Sequence, residues 1–261
     1  MKLATFRTPE GELRAGQLDG EILRGFMDGT TVRDALSGPI RLAQQGEWAL
    51  EDVELLAPIQ PTGTIYAIGL NYARHVEETG ATKPEQPLVF VKVAGSASPP
   101  GGPIRCPEVV RRLDYEGELT IVMGPENRIA GYCVADDVTA RDLQRREPQW
   151  TRAKGADTFC PYGPWITTAD EVPDPQNLRL RTWVNGELRQ DSSTADLIFG
   201  CEELVQFIAQ TNTLLPGDLI LTGTPHGVGM GLDPPQFLQP GDMVRIEIEG
   251  LGAIEHSVAA G

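Results

Sequence analysis

In Asp114-Tyr115-Glu116-Gly117-Glu118-Leu119 an acid stands at every second position of a segment that runs straight into Ile121, Val122 and Met123. A strand alternates its side chains between faces, so Asp114, Glu116 and Glu118 are expected on one side of it. The apolar run that follows is that of a buried strand, which puts these acids at the edge of a core. Carboxylates crowded there repel one another unless a cation neutralises them, so the fold must bring positive charge to them. An acidic strand is otherwise a solvated face. The metal reading gains weight from a second acidic pair, Asp136-Asp137, which closes the apolar segment Gly131-Tyr132-Cys133-Val134-Ala135. Adjacent strand residues face opposite ways, so only one of these aspartates can join Glu116 and Glu118, and spacing leaves open which. All-oxygen ligands select a hard ion, Mg²⁺ or Mn²⁺ with Ca²⁺ as a third option, over Zn²⁺ or Cu²⁺.

The remaining chain reads as many short strands joined by tight turns. Its 261 residues include 29 Gly and 21 Pro, yet 40% are hydrophobic, which is turn-rich packing rather than disorder. From Lys2 to about Leu56 we expect a small β-rich lobe. Leu3–Arg7 and Glu12–Leu18 flank a Pro-Glu-Gly turn, Asp19-Gly20 is a hairpin signal, and Val32–Leu36 and Pro39–Gln45 read as short helices. Pro58, Pro61 and Gly63 punctuate the chain before the apolar strand Thr64–Ile68. We place the boundary there, giving a lobe at residues 1–60 and a catalytic domain at 61–261. Further strands are expected at 87–93, 116–123, 129–137, 164–167, 178–184, 219–222, 243–248 and 253–258, with a hairpin at Asn185-Gly186. Ser193 or Thr194 is expected to cap a core-packing helix that carries Leu197, Cys201, Leu204, Val205 and Ile208, and Thr139–Arg146 reads as a second helix. So few helices fit a doubly wound parallel sheet poorly. The fold class is mostly β with few helices (α+β). No P-loop is present, and Gly227, Gly229 and Gly231 do not keep dinucleotide-binding spacing.

The net charge of −15 argues against nucleic-acid and anionic-membrane partners, though a bound cation or local Lys and Arg can reverse the field within one pocket. No apolar run is long enough to span a bilayer, and the first residues lack the apolar core of a secretion signal. Scattered Cys106, Cys133, Cys160 and Cys201 read as reduced thiols of a cytoplasmic protein.

Other segments carry candidate chemistry. His75 and Glu78, three apart, share a face in a helical turn and could hold a water and take its proton; the alternative is a plain surface pair. Arg141 and Gln144 follow directly from the acidic strand and could grip substrate oxygens, or Arg141 could pair only with Asp142 or Glu147. Lys154 lies in a Gly-rich loop and matters only if it faces the metal. In Thr222-Gly223-Thr224-Pro225-His226-Gly227-Val228-Gly229, backbone N–H groups and a hydroxyl could meet a carboxylate.

In this order the segments resemble the fumarylacetoacetate hydrolase family: G-L-N-Y-A-x-H-x-x-E at 69–78, D-Y-E-G-E-L at 114–119, G-Y-x-x-x-D-D-V-T-A-R-D-x-Q at 131–144, K-G-x-D-T-x-C-P at 154–161 and T-G-T-P-x-G-V-G at 222–229. The likeness runs from about Thr64 to the C-terminus. It implies a mixed β-roll around a divalent ion, in a homodimer, with ligands at Glu116, Glu118 and Asp137. This sequence has Asp136 where many relatives carry Asn. It also implies a His75–Glu78 dyad on a mobile lid, a catalytic Lys154, and substrate contacts from Arg141, Gln144 and Thr224. The lobe resembles that of isomerase/decarboxylase enzymes of aromatic-acid breakdown. The implied activity is isomerisation or decarboxylation of hydroxy-dienedioates through a metal-bound enolate. Acylpyruvate hydrolysis and oxaloacetate decarboxylation are the alternatives, and a non-catalytic, metal-stabilised binding module is the reading from outside enzymology.

Overall fold

A computed structural model describes residues 1–38 and 44–261. The leading segment contains β1 (Lys2–Arg7), β2 (Leu13–Asp19) and β3 (Ile22–Phe26), then α1 (Val32–Ser37), β4 (Gln44–Ala49) and β5 (Glu54–Leu56). The Asp19-Gly20 turn joins β2 to β3 as expected. The helix expected at Pro39–Gln45 falls mostly outside the described residues; Gln44 and Gln45 open β4. Next come β6 (Ile65–Gly69), α2 (Ala73–Thr79), β7 (Leu88–Lys92), β8 (Ala97–Ser98), β9 (Ile104–Cys106), β10 (Leu113–Asp114), β11 (Gly117–Met123), β12 (Ile129–Asp136) and β13 (Thr139–Ala140). The chain continues through α3 (Arg141–Arg146), α4 (Thr151–Lys154), β14 (Cys160–Thr168), β15 (Arg179–Val184), β16 (Glu187–Ser193), α5 (Cys201–Ala209), β17 (Leu219–Leu221), β18 (Met243–Ile248) and β19 (Gly252–Ala260).

One large mixed sheet runs β4-β3-β2-β1-β14-β12-β11-β17-β6-β7, with β5 on β1 and β8 on β14. The leading segment is continuous with this sheet, because β1 pairs antiparallel with β14. A second sheet, β16-β15-β18-β19-β9, packs against β11 and β12. Alternation along β11 fills two cores. Leu119, Ile121 and Met123 join Leu180, Val244, Ile246 and Ile254 of the second sheet. Val122 faces the other way, into a cluster that runs across the sheet from Leu3 of β1 through Ile166, Cys133 and Leu219 to Ile65 of β6. The large mixed sheet therefore carries apolar packing on both of its faces. β11 is buried along its whole length, so an acid at its start is held in protein rather than in water.

Two helices begin later than their spacing predicts. Ser193 caps only a 3₁₀ turn at Thr194–Asp196, accepting the Ala195 N–H, and α5 starts at Cys201. The cause is Asn71. Its side chain accepts the Phe199 N–H at 2.9 Å and donates to the carbonyls of Phe199 and Thr222 at 3.1 and 2.8 Å. Its carbonyl takes the Ile198 N–H. Held by these bonds, Leu197 is extended and bridges to Tyr72, and the chain bends at Ile198 and Phe199 before the helix. In the expected second helix, Thr139 and Ala140 pair instead with Asp114 and Leu113, so α3 starts at Arg141.

Candidate active site

Glu116 precedes the first residue of β11, Glu118 lies inside it, and Asp137 follows β12, its antiparallel neighbour. The Asp137 N–H donates to the Glu116 carbonyl at 2.9 Å, which ties the two strand ends together. The three side chains are buried, and one oxygen of each lies within 4.8 Å of the others. Asp136 points the opposite way. Its Oδ1 accepts the Glu116 N–H at 2.8 Å and its Oδ2 stands 2.9 Å from Nε2 of buried His256 on β19. Strand alternation thus separates two adjacent aspartates into a cluster member and a packing partner.

Asp114 departs from the expected same-face trio. The strand is interrupted at Tyr115 and Glu116, and Asp114 turns to accept N–H groups of Gly229 at 2.8 Å and Met230 at 3.1 Å, with Arg141 Nε at 2.8 Å. Arg141 also sets Nη2 2.6 Å from Glu116 Oε1, a charge contact with an angle poor for hydrogen bonding, and donates from Nη1 to Gln144 Oε1 at 3.1 Å. The alternative partners considered for Arg141, Asp142 and Glu147, are not the ones it takes.

Lys154 closes α4 with its side chain buried, and Nζ lies 2.6 Å from both Glu116 Oε2 and Asp137 Oδ2. Sequence reasoning missed Lys92. This fully buried lysine at the end of β7 donates to Asp137 Oδ1 at 2.5 Å and to the Lys154 carbonyl. A lysine ending an apolar strand is itself a signal, since lysine is almost never fully buried unless paired. Four carboxylates (Asp114, Glu116, Glu118, Asp137) thus face three cations (Lys92, Arg141, Lys154).

Among the described residues Glu118 is the one acid of the four without an ion pair, and its one side-chain hydrogen bond comes from the Gly223 N–H at 2.7 Å. Burial, then repulsion from Asp137 and Glu116, holds its carboxyl well above the usual range. Burial would raise Glu116 too, but Lys154 and Arg141 outweigh it and hold that carboxyl below its usual value. A buried acid short of positive charge, among oxygens only, is a fit for a hard divalent ion.

The Thr222–Gly229 loop meets carboxylates as expected, but they are the protein's own. Gly223 serves Glu118, Gly227 donates to Glu78 Oε1 at 2.8 Å, and Gly229 serves Asp114. Gly223 has φ +102°, and a Cβ on Gly229 would lie 2.6 Å from Asp114 Oδ1, so both positions require glycine. The Thr224 hydroxyl donates to the Gly117 carbonyl at 3.1 Å and accepts from Gln190 Nε2 at 2.9 Å.

His75 and Glu78 share α2, with His75 Nδ1 3.0 Å from Glu78 Oε2. With Nδ1–H donating to Glu78, Nε2 is left as the acceptor. A cleft of about 240 Å³ unites these parts. His75, Glu116, Arg141, Gln144, Lys154 and Thr224 line it, as do Arg145 and Trp150, which the sequence reading did not select. Trp150 packs edge-on against Phe90, 5.3 Å between centroids.

The large mixed sheet and its buried acidic cleft give a mostly β fold with few helices and a pocket of small-molecule size. Residues 64–259 match the family profile described as Fumarylacetoacetate (FAA) hydrolase C-terminal, and the chain belongs to that family. It is 37% identical over 286 residues to Oxaloacetate tautomerase Fahd2a, mitochondrial, of Rattus norvegicus, covering 99% of this chain and 91% of that one. Among solved structures it is similar to 2-hydroxyhepta-2,4-diene-1,7-dioate isomerase from Mycobacterium marinum, with a TM-score of 0.84, 36% identity and coverage of 100% and 98%. It is also similar to fumarylacetoacetate hydrolase from the psychrophile Exiguobacterium antarcticum, with a TM-score of 0.89, 34% identity and full coverage of both chains.

Proposed function

We propose that this chain is a divalent-metal-dependent enzyme that shifts a proton between carbon and oxygen of a 2-oxo acid by way of its enol. The observation that carries the reading is the presence of His75 in the same cleft as the acid cluster, with its ring held by Glu78. The natural forms of such a proton shift here are isomerisation of a hydroxy-dienedioate and tautomerisation of oxaloacetate, in line with the names of the similar proteins; decarboxylation would pass through the same enolate with CO₂ leaving the carbon in place of a proton.

Glu116, Glu118 and Asp137 would hold Mg²⁺ or Mn²⁺, with Ca²⁺ as a third option, and water or substrate oxygens would complete the shell. When bound, the ion supplies Lewis-acid stabilisation of negative charge on the substrate's carboxylate and 2-oxo oxygen. Lys154, fixed between Glu116 and Asp137, adds a positive charge at the same end of the cleft. Gln144, oriented by Arg141 through its carbonyl, offers its N–H groups to substrate oxygens. His75 Nε2 takes the proton from the substrate carbon and delivers it to the 2-oxo oxygen, giving the enol, or carries it the other way, while Glu78 fixes the ring's tautomer and orientation. Thr224 and Trp150 shape the wall. The hydrolase reading rests on the same dyad: a water held at His75 Nε2 would attack an acylpyruvate carbonyl.

Four free thiols suit a cytoplasmic setting, and a homodimer belongs to this reading, with exposed Leu88 and Val91 of terminal strand β7 and Val93 just after it as apolar surface for a second copy. Among the described residues no helix is long and apolar enough to cross a membrane. The test is ultraviolet loss of the enol with Mg²⁺ or Mn²⁺ present. The substrates are 2-hydroxyhepta-2,4-diene-1,7-dioate, oxaloacetate and an acylpyruvate, with a chelator control. Chelator-sensitive turnover of either diacid is expected, and inertness towards all three would overturn the proposal.

A further inference from the structure

We propose that Arg145 reads a second negative group at the far end of the substrate and so makes the site selective for dicarboxylic over monocarboxylic 2-oxo acids. The inference rests on the 2-oxo acid reading and adds the residue that sets substrate class. Three arginine or lysine side chains line the cleft: Arg141, Arg145 and Lys154. Two of them are committed. Arg141 is spent on Asp114, Glu116 and Gln144, and Lys154 on Glu116 and Asp137. Arg145 makes no ion pair and no side-chain hydrogen bond among the described residues. It is exposed where Glu116 is buried, which places it at the mouth of the cleft and the acid cluster at its base.

Arg141 and Arg145 are four apart on α3 and so share one face of that helix, with Arg141 already neutralised by Asp114 and Glu116. The chain as a whole carries −15, so an uncommitted arginine at the entrance also counters a field that repels dianions. The Gln144 amide nitrogen donates to nothing among the described residues, and a guanidinium with a neighbouring uncommitted N–H donor suits the planar, two-oxygen geometry of a carboxylate. The wall between base and mouth is apolar at Ile68, Leu70 and Trp150, fit for a short carbon chain joining two charged ends.

The test compares 2-oxoglutarate with 2-oxopentanoate, equal in chain length and differing in the distal carboxylate. Binding of each to the protein with Mg²⁺ present is measured by titration calorimetry. The native chain is expected to prefer 2-oxoglutarate by at least about tenfold, the scale of a lost charged hydrogen bond. In Arg145→Gln the two affinities converge, and Arg145→Lys, a charge without the planar fork, keeps part of the preference. Equal binding or no binding of the pair by the native chain, or an undiminished preference in Arg145→Gln, would overturn the proposal. The enol-loss screen with all three substrates named above, run in parallel on the native chain, separates the two readings. Preference without turnover sinks the proposed reaction alone, and turnover without preference sinks the role of Arg145 alone.

Discussion

Asp136 and Asp137 are neighbours in the chain and opposites in circumstance. Asp136 faces the second sheet with both oxygens engaged, one by the Glu116 N–H and one by His256, and both side chains are inaccessible to solvent. Asp137 faces the acid cluster whose member Glu116 lines the cleft, and among the described residues carboxylates there outnumber cations and Glu118 has no ionic partner. The first pair is a finished piece of interior. The second is an electrostatic deficit that the folded chain leaves uncorrected, the kind of deficit on which the proposed metal site rests. One residue of strand alternation separates the packing partner from the proposed ligand.

That contrast can be broken most severely at Glu118. Glu118→Gln is expected to cut turnover by at least about a hundredfold, the scale on which removing an electrostatic stabiliser acts. The metal-free protein should melt no lower than the native chain, because the lost charge has no ionic partner. If Glu118→Ala instead unfolded the protein, the cluster would be a stability device and the molecule a metal-stabilised binding module. His75→Ala should lower kcat by about 10² to 10⁴-fold while Mn²⁺ affinity stays put; unchanged turnover of every 2-oxo acid would remove the dyad from the mechanism. Asp136→Ala sharpens the other side. Leaving His256 and the Glu116 N–H unpaired should cost about 3 kcal/mol in denaturant unfolding, and a loss under about 1 kcal/mol would show the pair to be idle.

The smallest effect is in pH. A raised carboxyl such as Glu118 contributes stability that is present below its ordinary value of 4.5 and is lost as pH rises from there through the folded value. Glu116, held low, has the opposite sign, and its contribution is lost only as pH falls below 4.5. Thermal melts of the metal-free protein should therefore decline from about pH 5 upward, and Mg²⁺ should raise the melting point more at pH 8 than at pH 5. A metal-induced shift independent of pH would contradict the assignment of Glu118.

The strands and the acid cluster were legible because both follow period-two alternation, which needs only local sequence. The choice of Asp137 over Asp136 came by resemblance, since alternation says that one faces the cluster without saying which. Lys92 was hidden in an apolar run, and its pairing with Asp137 is a contact between strands 45 residues apart. Asn71 was quoted as part of a motif, but its hold on Phe199 and Thr222 delays α5 against good helical spacing, a tertiary tie overriding local propensity. Asp114 left its expected face because the strand breaks at Tyr115, and the glycine loop that receives it lies 115 residues away. The same loop was read as a carboxylate binder, correctly in chemistry, while the carboxylates turned out to be internal.

Mn²⁺ binding by equilibrium dialysis to the native chain, Asp137→Asn and Asp136→Asn tests the central claim. One ion per chain is expected for the native protein, with affinity weakened at least about a hundredfold in Asp137→Asn and nearly retained in Asp136→Asn. Absence of binding to the native chain, or equal losses in the two variants, would contradict the division of labour between these neighbouring aspartates.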